Sequence, residues 1–428
     1  MGRKLSPELL AGYSAASVLS GRVKGFCWAA LAVLVVGCWF VYDRSDPRVD
    51  GERLSVWFER ILMQSHTVVP REEAEPFRRL GRRGAHWLAR ELHHQPPLWM
   101  RTHEFLFLRL SRWIPMPPPT GATQVPRIQL ARQLLGHLDP AVVAPILVQR
   151  FKSCPAADKP GVAEALGELG PEAADRVGPC LVSALASTDA KELASVILAL
   201  GEVLYRPEDV VPKLVPFLAN SNDLVRMEAS YSLGTYGADP ARTMKPLIER
   251  LSDPNAVVKA NGARALGRMG RDALPAVEPL LKALRVASPR APVAARALEA
   301  LSSIAPEVLR SVPAEMDEWV AAKIPEDSYF GVMKATARER LGVQAPTLTA
   351  DCLSLAQSST AYIRWEALER LGECGSSGQE VRAVLARGLS DPNGLVRRTA
   401  QQALERWSHR QAAAEEQRSL SPFGQAEE

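Results

Sequence analysis

The sequence predicts an all-α solenoid, an array of stacked helical hairpins, from three observations. A ten-residue phrase recurs at intervals of about 33 residues, each copy has apolar residues at helical spacing, and a leucine-rich segment separates successive copies. A fixed period of this size indicates repeated hairpins, because each hairpin can bury its apolar face only against its neighbours. The clearest copies are VRMEASYSLG from Val225, VKANGARALG from Val258, MKATARERLG from Met333 and IRWEALERLG from Ile363.

Apolar residues occupy the first, fifth and ninth places of the phrase, as Val225, Ala229 and Leu233 do in the first clear copy. This spacing puts them on one face of a helix and predicts a buried stripe. The phrase closes on glycine, for example Gly234 and Gly267, and glycine favours the left-handed conformation that often ends a helix. We therefore expect each phrase to form one helix that ends near its glycine.

The segments between copies predict the second helix of each hairpin, since they carry leucines three and four residues apart. The DPN motifs at 253–255 and 391–393 are typical of a helix end followed by a new N-cap. Each unit is therefore helix, turn, helix. From about Asp139 to Ser408 the chain has room for roughly eight such hairpins.

The repeated phrase and the DPN turns resemble the HEAT repeat family, in particular the HEAT-like repeats of phycobilisome lyase proteins. This resemblance implies a right-handed α-solenoid and a ladder between repeats, made by an Asp six places before the Arg of the V-R pair. The spacing holds for Asp253 with Lys259, for Asp391 with Arg397 and, with an amide, for Asn220 with Arg226, whereas Ser358 before Arg364 and Ser328 before Lys334 depart from it.

One apolar run of 18 residues, 25–42, contains no charged side chain. At about 1.5 Å per residue it is long enough to cross a hydrocarbon core, so we expect a transmembrane signal anchor. Trp28 and Trp39 have the positions of interfacial anchors. A buried core helix is the alternative. Val35 to Cys38 also has the form of a lipoprotein cleavage box, which leaves lipidation of Cys38 as a second way to attach the chain to a membrane.

The orientation of this anchor rests on its flanking charges. Four basic residues precede the run and four follow it within 20 residues, so the counts are equal. A short basic tail ahead of a large domain usually stays inside the cell. We therefore expect a single-pass membrane protein with the solenoid on the extracytoplasmic side.

The segment that follows the run is rich in arginine and aromatic residues. Residues 1–138 carry a net charge of +8 and the remainder carries −4. A basic cluster near a bilayer suits anionic headgroups, although a solvated helix face is an equally good interpretation. The stretches LSVWFERI and RRLGRRGAHWLAREL also resemble the front end of bacterial membrane-anchored HEAT-repeat proteins of undefined role. The candidate membrane-surface cluster comprises Arg78, Arg79, Arg82, Arg83 and Arg90.

These features predict the following organisation of the chain. It comprises a basic tail (1–24), a membrane anchor (25–42), a linker (43–53), divergent hairpins that cap the array (54–114), a proline-rich linker (115–126), the solenoid (127–408) and a disordered tail (409–428).

A scaffold for protein–protein interaction or assembly is the function that the sequence favours, with no catalysis, no cofactor and no identified small-molecule substrate. Its protein partners are unknown. The alternatives are a HEAT-like enzyme of lyase or hydroxylase type with an unrecognised site, and a nucleic-acid-binding solenoid. Hydroxylases of this class use repeated His-Glu pairs, but only His103-Glu104 forms such a pair, and no C-x-x-C or phosphate loop occurs. We therefore predict no metal site and no catalytic residues.

The seventh place of the phrase should lie on the exposed face of the array and form a row that a protein partner could bind. Three acids in this row would repel a nucleic acid, which disfavours that alternative. The candidate partner-binding residues are Tyr231, Arg264, Glu299, Glu339 and Glu369.

Overall fold

The computed structural model describes residues 46–64, 68–93, 124–237, 239–287, 291–310, 336–337, 339–340, 348–373 and 378–419. The predicted tail 1–24, the membrane run 25–42 and Cys38 lie outside these residues, as does nearly all of the proline-rich linker. Within the described residues, no helix is both long enough and apolar enough to cross a bilayer. The chain divides into two compact units, residues 1–59 and 60–428.

A small β-hairpin occupies most of the segment expected to be a linker. Strand β1 (Arg48–Val49) pairs antiparallel with β2 (Glu52–Arg53), and helix α1 (Leu54–Met63) follows directly. The turn residues Asp50 and Gly51 both have positive φ, 51° and 84°. An Asp-Gly pair favours this conformation because it matches the twist of a two-residue hairpin turn.

The second unit is a succession of helices joined by short turns. Its helices are α2 (Glu75–Arg79), α3 (Arg82–Glu91), α4 (Gln124–Gly136), α5 (Pro140–Ser153), α6 (Lys159–Glu168), α7 (Ala174–Ala184), α8 (Ala190–Val203), α9 (Pro207–Leu214), α10 (Asp223–Tyr236), α11 (Pro240–Arg250), α12 (Ala256–Arg268), α13 (Val277–Val286), α14 (Pro292–Ile304), α15 (Pro306–Arg310), α16 (Leu348–Leu355), α17 (Ala361–Glu373), α18 (Gln379–Gly388) and α19 (Gly394–Ser419). Short 3-10 segments lie at Arg71–Ala74, Ala156–Asp158, Pro171–Ala173, Val215–Ala219 and Gly270–Ala276.

Helices that carry the repeated phrase stack on one another, which confirms the helical repeat solenoid. We call α4, α6, α8, α10, α12, α14, α17 and α19 the phrase helices. Each of the first five packs on the next, and α17 packs on α19. The predicted apolar stripe is buried, since Val225, Ala229, Leu233 and Leu266 are all 0% exposed.

The phrase glycines serve a purpose other than the one expected. Gly234 and Gly267 lie inside helices and are absent from the positive-φ positions, so the left-handed expectation is wrong. A Cβ added at Gly267 would lie 2.8 Å from Cα of Ala300 on the next phrase helix, and one at Gly372 would lie 2.8 Å from Cβ of Ala403. Glycine is present because the backbones of neighbouring helices approach too closely for a side chain.

The DPN turns cap the following helices as predicted. The Asn255 side chain accepts hydrogen bonds from the backbone N–H groups of Val257 and Val258, at 2.8 and 3.4 Å. Asn393 accepts from Leu395 and Val396 in the same way. The preceding aspartate accepts from the asparagine N–H, so each turn is closed on itself before the new helix begins.

An arginine ladder joins neighbouring repeats, as expected from the motif. Arg226 donates to the carbonyls of Asn220 and Ser221 in its own turn, and to both carboxylate oxygens of Asp253 in the next turn at 2.8 and 2.9 Å. Arg364 repeats the arrangement with Asp391. The aspartate partner therefore lies 27 residues after the arginine. Asp253 and Asp391, which precede Lys259 and Arg397 by six places, thus each pair with the arginine of the preceding repeat. The ladder also holds at Arg364, although Ser358 departs from the motif there.

The array closes on itself, because its last repeat packs against its first repeats. Helix α19 contacts α8 and the 3-10 turn that follows α6. The turn before α19 lies so close to Gly136, and the first residues of α19 lie so close to Gly170, that neither glycine has room for a Cβ. Arg397, the last ladder arginine, donates to the carbonyls of Gly136 and Leu169 at 3.2 and 3.3 Å. The ladder thus joins the two ends of the solenoid.

The C-terminal segment from His409 is helical to Ser419, so the expectation of a disordered tail is wrong for those residues. The segment continues α19 because it is rich in Ala, Gln, Glu and Arg, which are strong helix formers, and contains no proline or glycine before that point. Arg410 also donates to the carbonyl of Gly372 at 2.7 Å.

Gly267→Ala should destabilise the array by about 1 to 3 kcal/mol, because the new methyl group would overlap the backbone of the next phrase helix. Gly161→Ala is the matched control, since that helical glycine has only one side-chain atom within 4 Å, at 3.8 Å. Because alanine has a higher helix propensity than glycine, the control variant should be as stable as the wild type or more stable. Urea unfolding of both variants measures the difference, and equal stability of the two would contradict the close-approach role.

Candidate interaction site at the centre of the array

The predicted partner-binding row lies largely inside the array rather than on its surface. Tyr231, Arg264 and Glu299 are only 6%, 4% and 5% exposed, so the expected exposure is wrong for these three residues. Glu369 is half-buried and Glu339 is exposed. The difference arises because α17 lies against the row formed by α10, α12 and α14, a contact between repeats about 100 residues apart.

An aromatic cage surrounds the guanidinium group of Arg264. Its Cζ atom lies 4.8, 5.1 and 4.6 Å from the ring centroids of Tyr231, Tyr362 and Trp365. The two tyrosine rings meet edge to face, with centroids 5.0 Å apart. Stacking a cation on ring faces offsets part of the cost of taking its charge out of water. The cage therefore ties α10 and α12 to α17.

Buried ion pairs connect the same helices. Arg296 is 2% exposed, and it donates to both oxygens of Glu366 at 2.6 and 2.8 Å and to Glu299 at 2.9 Å. Arg370 bridges Glu299 and Glu373. Further pairs join Arg264 to Glu366, Arg268 to Glu369 and Arg340 to Glu373.

This set of side chains, the central charge network, consists of Arg264, Arg268, Arg296, Arg340, Arg370, Glu299, Glu366, Glu369 and Glu373. Burial opposes the charge on Glu366, but Arg296 and Arg264 outweigh it and hold the pKa of that carboxyl well below its usual range. Glu366 therefore stays ionised between its partners. Because a buried charge that loses its partner is costly, the network makes the contact of α17 with α12 and α14 specific.

A cleft of about 200 Å³ opens beside the network. It lies between the C-terminal parts of α12, α14 and α17, and both signs of charge line it. The charged lining residues are Arg264, Arg268, Arg340, Arg370, Glu299, Glu369 and Glu373.

A second polar cluster lies where the array closes. Arg132 pairs with Glu164 and with Glu168, the latter at 2.6 Å. Glu202 accepts a hydrogen bond from Asn393 of the closing turn at 3.4 Å. Burial, assisted by the negative charge of Glu168, raises the pKa of Glu202 to about 8. The closing contact is therefore made by a carboxyl group that is protonated at neutral pH.

The candidate basic cluster lies on α2 and α3, and all five of its arginines are exposed. Glu75 pairs with Arg78 at 2.9 Å and with Arg79 at 3.4 Å. The other three, Arg82, Arg83 and Arg90, have no ion-pair partner within the part of the chain that the structure describes. The opposite side of this hairpin is buried, with Phe77 and Trp87 in ring contact, and α3 packs on α4 and α5. The hairpin thus covers the first repeat and presents its arginines to solvent.

A metal centre has no support in the described residues, where no group of three His, Cys, Asp or Glu side chains could hold an ion. His103 and Glu104 lie outside those residues. The cysteines described there, Cys154, Cys180 and Cys352, are free and buried, and burial raises the pKa of all three thiols. The polar groups that the described residues bring together are the ion pairs and the aromatic cage described above, and these connect one repeat to another.

Sequence reasoning missed Arg296, Glu366 and Arg370, which carry most of the central ion pairs. A signal for two of them is present, since Arg296 and Glu366 both occupy the fourth place of a phrase. The fourth and seventh places lie on the same side of a helix, so a charge at each extends the row by one turn. The opposite signs at the fourth place of two distant repeats are compatible with pairing between them.

No protein-family model and no curated protein matches the sequence. Solved structures that resemble the chain include an engineered protein at 18% identity, covering 82% of this chain and 99% of that one, with a TM-score of 0.36. Another is the complex of CpcE and CpcF of phycocyanin lyase from Nostoc sp. PCC7120, at 19% identity, covering 57% of this chain and 92% of that one, with a TM-score of 0.40. A designed armadillo repeat protein matches at 16% identity, covering 62% of this chain and 99% of that one, with a TM-score of 0.29. At these values the matches carry no functional information.

Arg296→Met should cost about 3 to 5 kcal/mol of stability, because it leaves buried carboxylates short of a partner while keeping most of the side-chain volume. The double variant Arg296→Met/Glu366→Met should be more stable than the single one, since it removes the unpaired charge as well. Arg271→Met is the surface control, because Arg271 is 76% exposed in its pair with Glu307, and it should change stability by less than about 0.5 kcal/mol. Chemical unfolding compares the three, and a single variant as mild as the control would refute a structural role for the network.

Glu202→Gln should make stability less dependent on pH. The folded pKa of about 8 exceeds the ordinary value of 4.5, so the protonated carboxyl contributes stability that is complete below pH 4.5 and is lost as pH rises through 8. Glutamine cannot ionise. The free energy of unfolding of the variant, relative to that of the wild type, should therefore increase from pH 4.5 to pH 8 and stay constant above that window. Thermal unfolding from pH 4.5 to 9 tests this, and parallel curves would show that Glu202 does not titrate as described.

Proposed function

We propose that the chain is a scaffold for protein–protein interaction or assembly, tethered to a membrane through residues 25–42 and without a reaction or cofactor of its own. A HEAT-like classification of the solenoid is part of this proposal. The repeat fold supports it, because stacked hairpins present long surfaces that suit protein partners. The observation that carries it is the exposed arginine face of α2 and α3, which packing of the array does not require.

The arginine face is a better candidate for the docking surface than the predicted row. Tyr231, Arg264 and Glu299 are already engaged with α17, so a partner could use them only if α17 moved away. Arg82, Arg83 and Arg90 are exposed and need no such change. Arginine is enriched where protein partners dock, because its planar fork binds carboxylates with two hydrogen bonds. The surface therefore suits a partner with an acidic face.

The face also follows the predicted membrane run in sequence. Arginines near an anionic bilayer contribute about 1 kcal/mol each, so lipid headgroups would compete for the same side chains. We assign the face to an acidic protein partner because three of its arginines lie on helix α3, which packs on the first repeat. The membrane run by itself supplies the tether.

Affinity capture of the full-length chain from solubilised membranes tests this function. The triple variant Arg82→Glu/Arg83→Glu/Arg90→Glu should lose its partner proteins, because it reverses the charge of the face. The control Lys191→Glu/Arg242→Glu/Lys282→Glu makes the same change in net charge at exposed positions elsewhere and should keep them.

Capture of the same partners by both variants would contradict the assignment of the face. If only binding to anionic vesicles is lost, the face is a lipid site and the protein-docking assignment is wrong. Deleting residues 25–42 should in addition release the chain from membranes, and full-length protein that washes off in mild buffer would disprove the tether.

A further inference from the structure

Helices α16 to α19 form a module with a hydrophobic core of its own. Among the described residues, its buried cluster includes Leu368, Leu385 and Val396. Tyr231 of α10 is the one buried member of this cluster that lies outside residues 348–403 in that part of the chain. The four helices also pack on one another. The module therefore meets the rest of the array across a boundary, as a docked domain does.

Long side chains make the contact of α17 with the array. Helix α17 does not stack on α10, α12 or α14 in the way that successive phrase helices stack on one another. Successive phrase helices approach through small residues, such as Gly267 and Ala300, whereas α17 reaches the array through the aromatic cage and ion pairs described above. A polar interface of this kind is typical of partners that associate reversibly rather than of a continuous core.

The residues with which α17 contacts the array have the spacing of a helix bound in a groove. They share one face, at positions i, i+3, i+4 and i+7, and are Tyr362, Trp365, Glu366 and Glu369. The ring centroid of Trp365 lies 4.6 Å from Cζ of Arg264 and 5.1 Å from Cζ of Arg268. This is the pattern by which an amphipathic helix places its anchors in a groove of another protein.

The array meets this face with arginines. Arg264 and Arg296 both donate to Glu366, at 3.2 and 2.6 Å. Arg268 donates to both oxygens of Glu369, at 2.9 and 2.8 Å. Each of these two glutamates of α17 therefore meets at least one arginine of α12 or α14. The surface on α10, α12 and α14 is complementary, in charge and in aromatic contacts, to an acidic helix that carries an aromatic residue.

We propose that the groove formed by α10, α12 and α14 is a binding site for an acidic, aromatic helix of a partner protein, and that α17 occupies it as an intramolecular competitor. The partner helix carries an aromatic residue and two glutamates at the spacing of Trp365, Glu366 and Glu369. Because α17 belongs to the same chain, its effective concentration at the groove is high and excludes weak ligands. Access to the groove is therefore controlled by the docking of the C-terminal module.

A peptide of residues 361–373, acetylated and amidated to remove its terminal charges, is the probe. Its binding to the purified full chain is measured by fluorescence anisotropy. The wild-type chain should bind the peptide poorly, because its own α17 fills the groove. The chain variant Glu366→Gln/Glu369→Gln weakens docking in cis, since the groove arginines lose their counter-charges, and should bind the peptide about tenfold more tightly than the wild type, with one-to-one stoichiometry.

Two altered peptides test the chemistry of recognition. A peptide with the same two glutamines should bind the variant chain about tenfold more weakly than the native peptide, because it lacks the carboxylates that the arginines bind. A scrambled peptide of identical composition should also bind more weakly, since it breaks the i, i+3, i+4, i+7 face. Equal binding of native and scrambled peptides would show that the groove takes acidic chains in general, which contradicts the helical assignment.

The matched control chain is Glu380→Gln/Glu405→Gln, which makes the same charge change at exposed positions of α18 and α19. It should bind the peptide as poorly as the wild type. Circular dichroism checks that the variants are folded. If the double variant is not folded, Glu369→Gln alone removes only the outer pair with Arg268 and should still bind more tightly than the wild type. Peptide binding no tighter than that of the control chain would overturn the proposal. The groove is distinct from the arginine face of α2 and α3, so that result leaves the proposed function standing.

Discussion

The arginine that joins each turn to the next is the interaction on which the rest of the structure depends. Arg226 and Arg364 each fix two carbonyls of their own turn and both oxygens of an aspartate in the following turn. Such bidentate pairs set orientation as well as distance. The rotation from one repeat to the next is therefore defined by hydrogen bonds in addition to apolar packing. Arg397 applies the same geometry to carbonyls at the opposite end of the chain.

Closure changes the environment of the phrase helices. In an open solenoid their free face would meet water, and the charges at the fourth and seventh places would be solvated. Here that face meets α17, so the same charges are buried and must find partners. Buried ion pairs add little net stability compared with apolar packing, but a misplaced one is heavily penalised. The central network therefore selects one arrangement of α12, α14 and α17 among several that apolar contacts would tolerate.

Local features of the fold could be predicted from sequence, whereas long-range ones could not. Helical spacing identified the buried stripe at Val225 and Leu266, and the DPN turns identified the caps, because both depend on neighbouring residues. Closure is the sum of small rotations over many repeats, so no single motif reports it. For that reason the row at Tyr231 and Arg264 was expected on the surface. The glycine at 267 was misassigned because a left-handed turn and a close helix contact require the same residue.

The tight seam that the turn before α19 and the first residues of α19 make with the glycines at 136 and 170 restricts how this protein can evolve. An open repeat array lengthens or shortens readily by duplication or loss of one unit, because each unit contacts only its neighbours. A closed array has no such freedom, since one unit more or fewer would displace the final turn and the start of α19 from both glycines. The number of repeats is thereby fixed as firmly as the strand number of a barrel. Folding is constrained as well, because the seam joins residues more than 220 positions apart and forms only after the intervening repeats are in place.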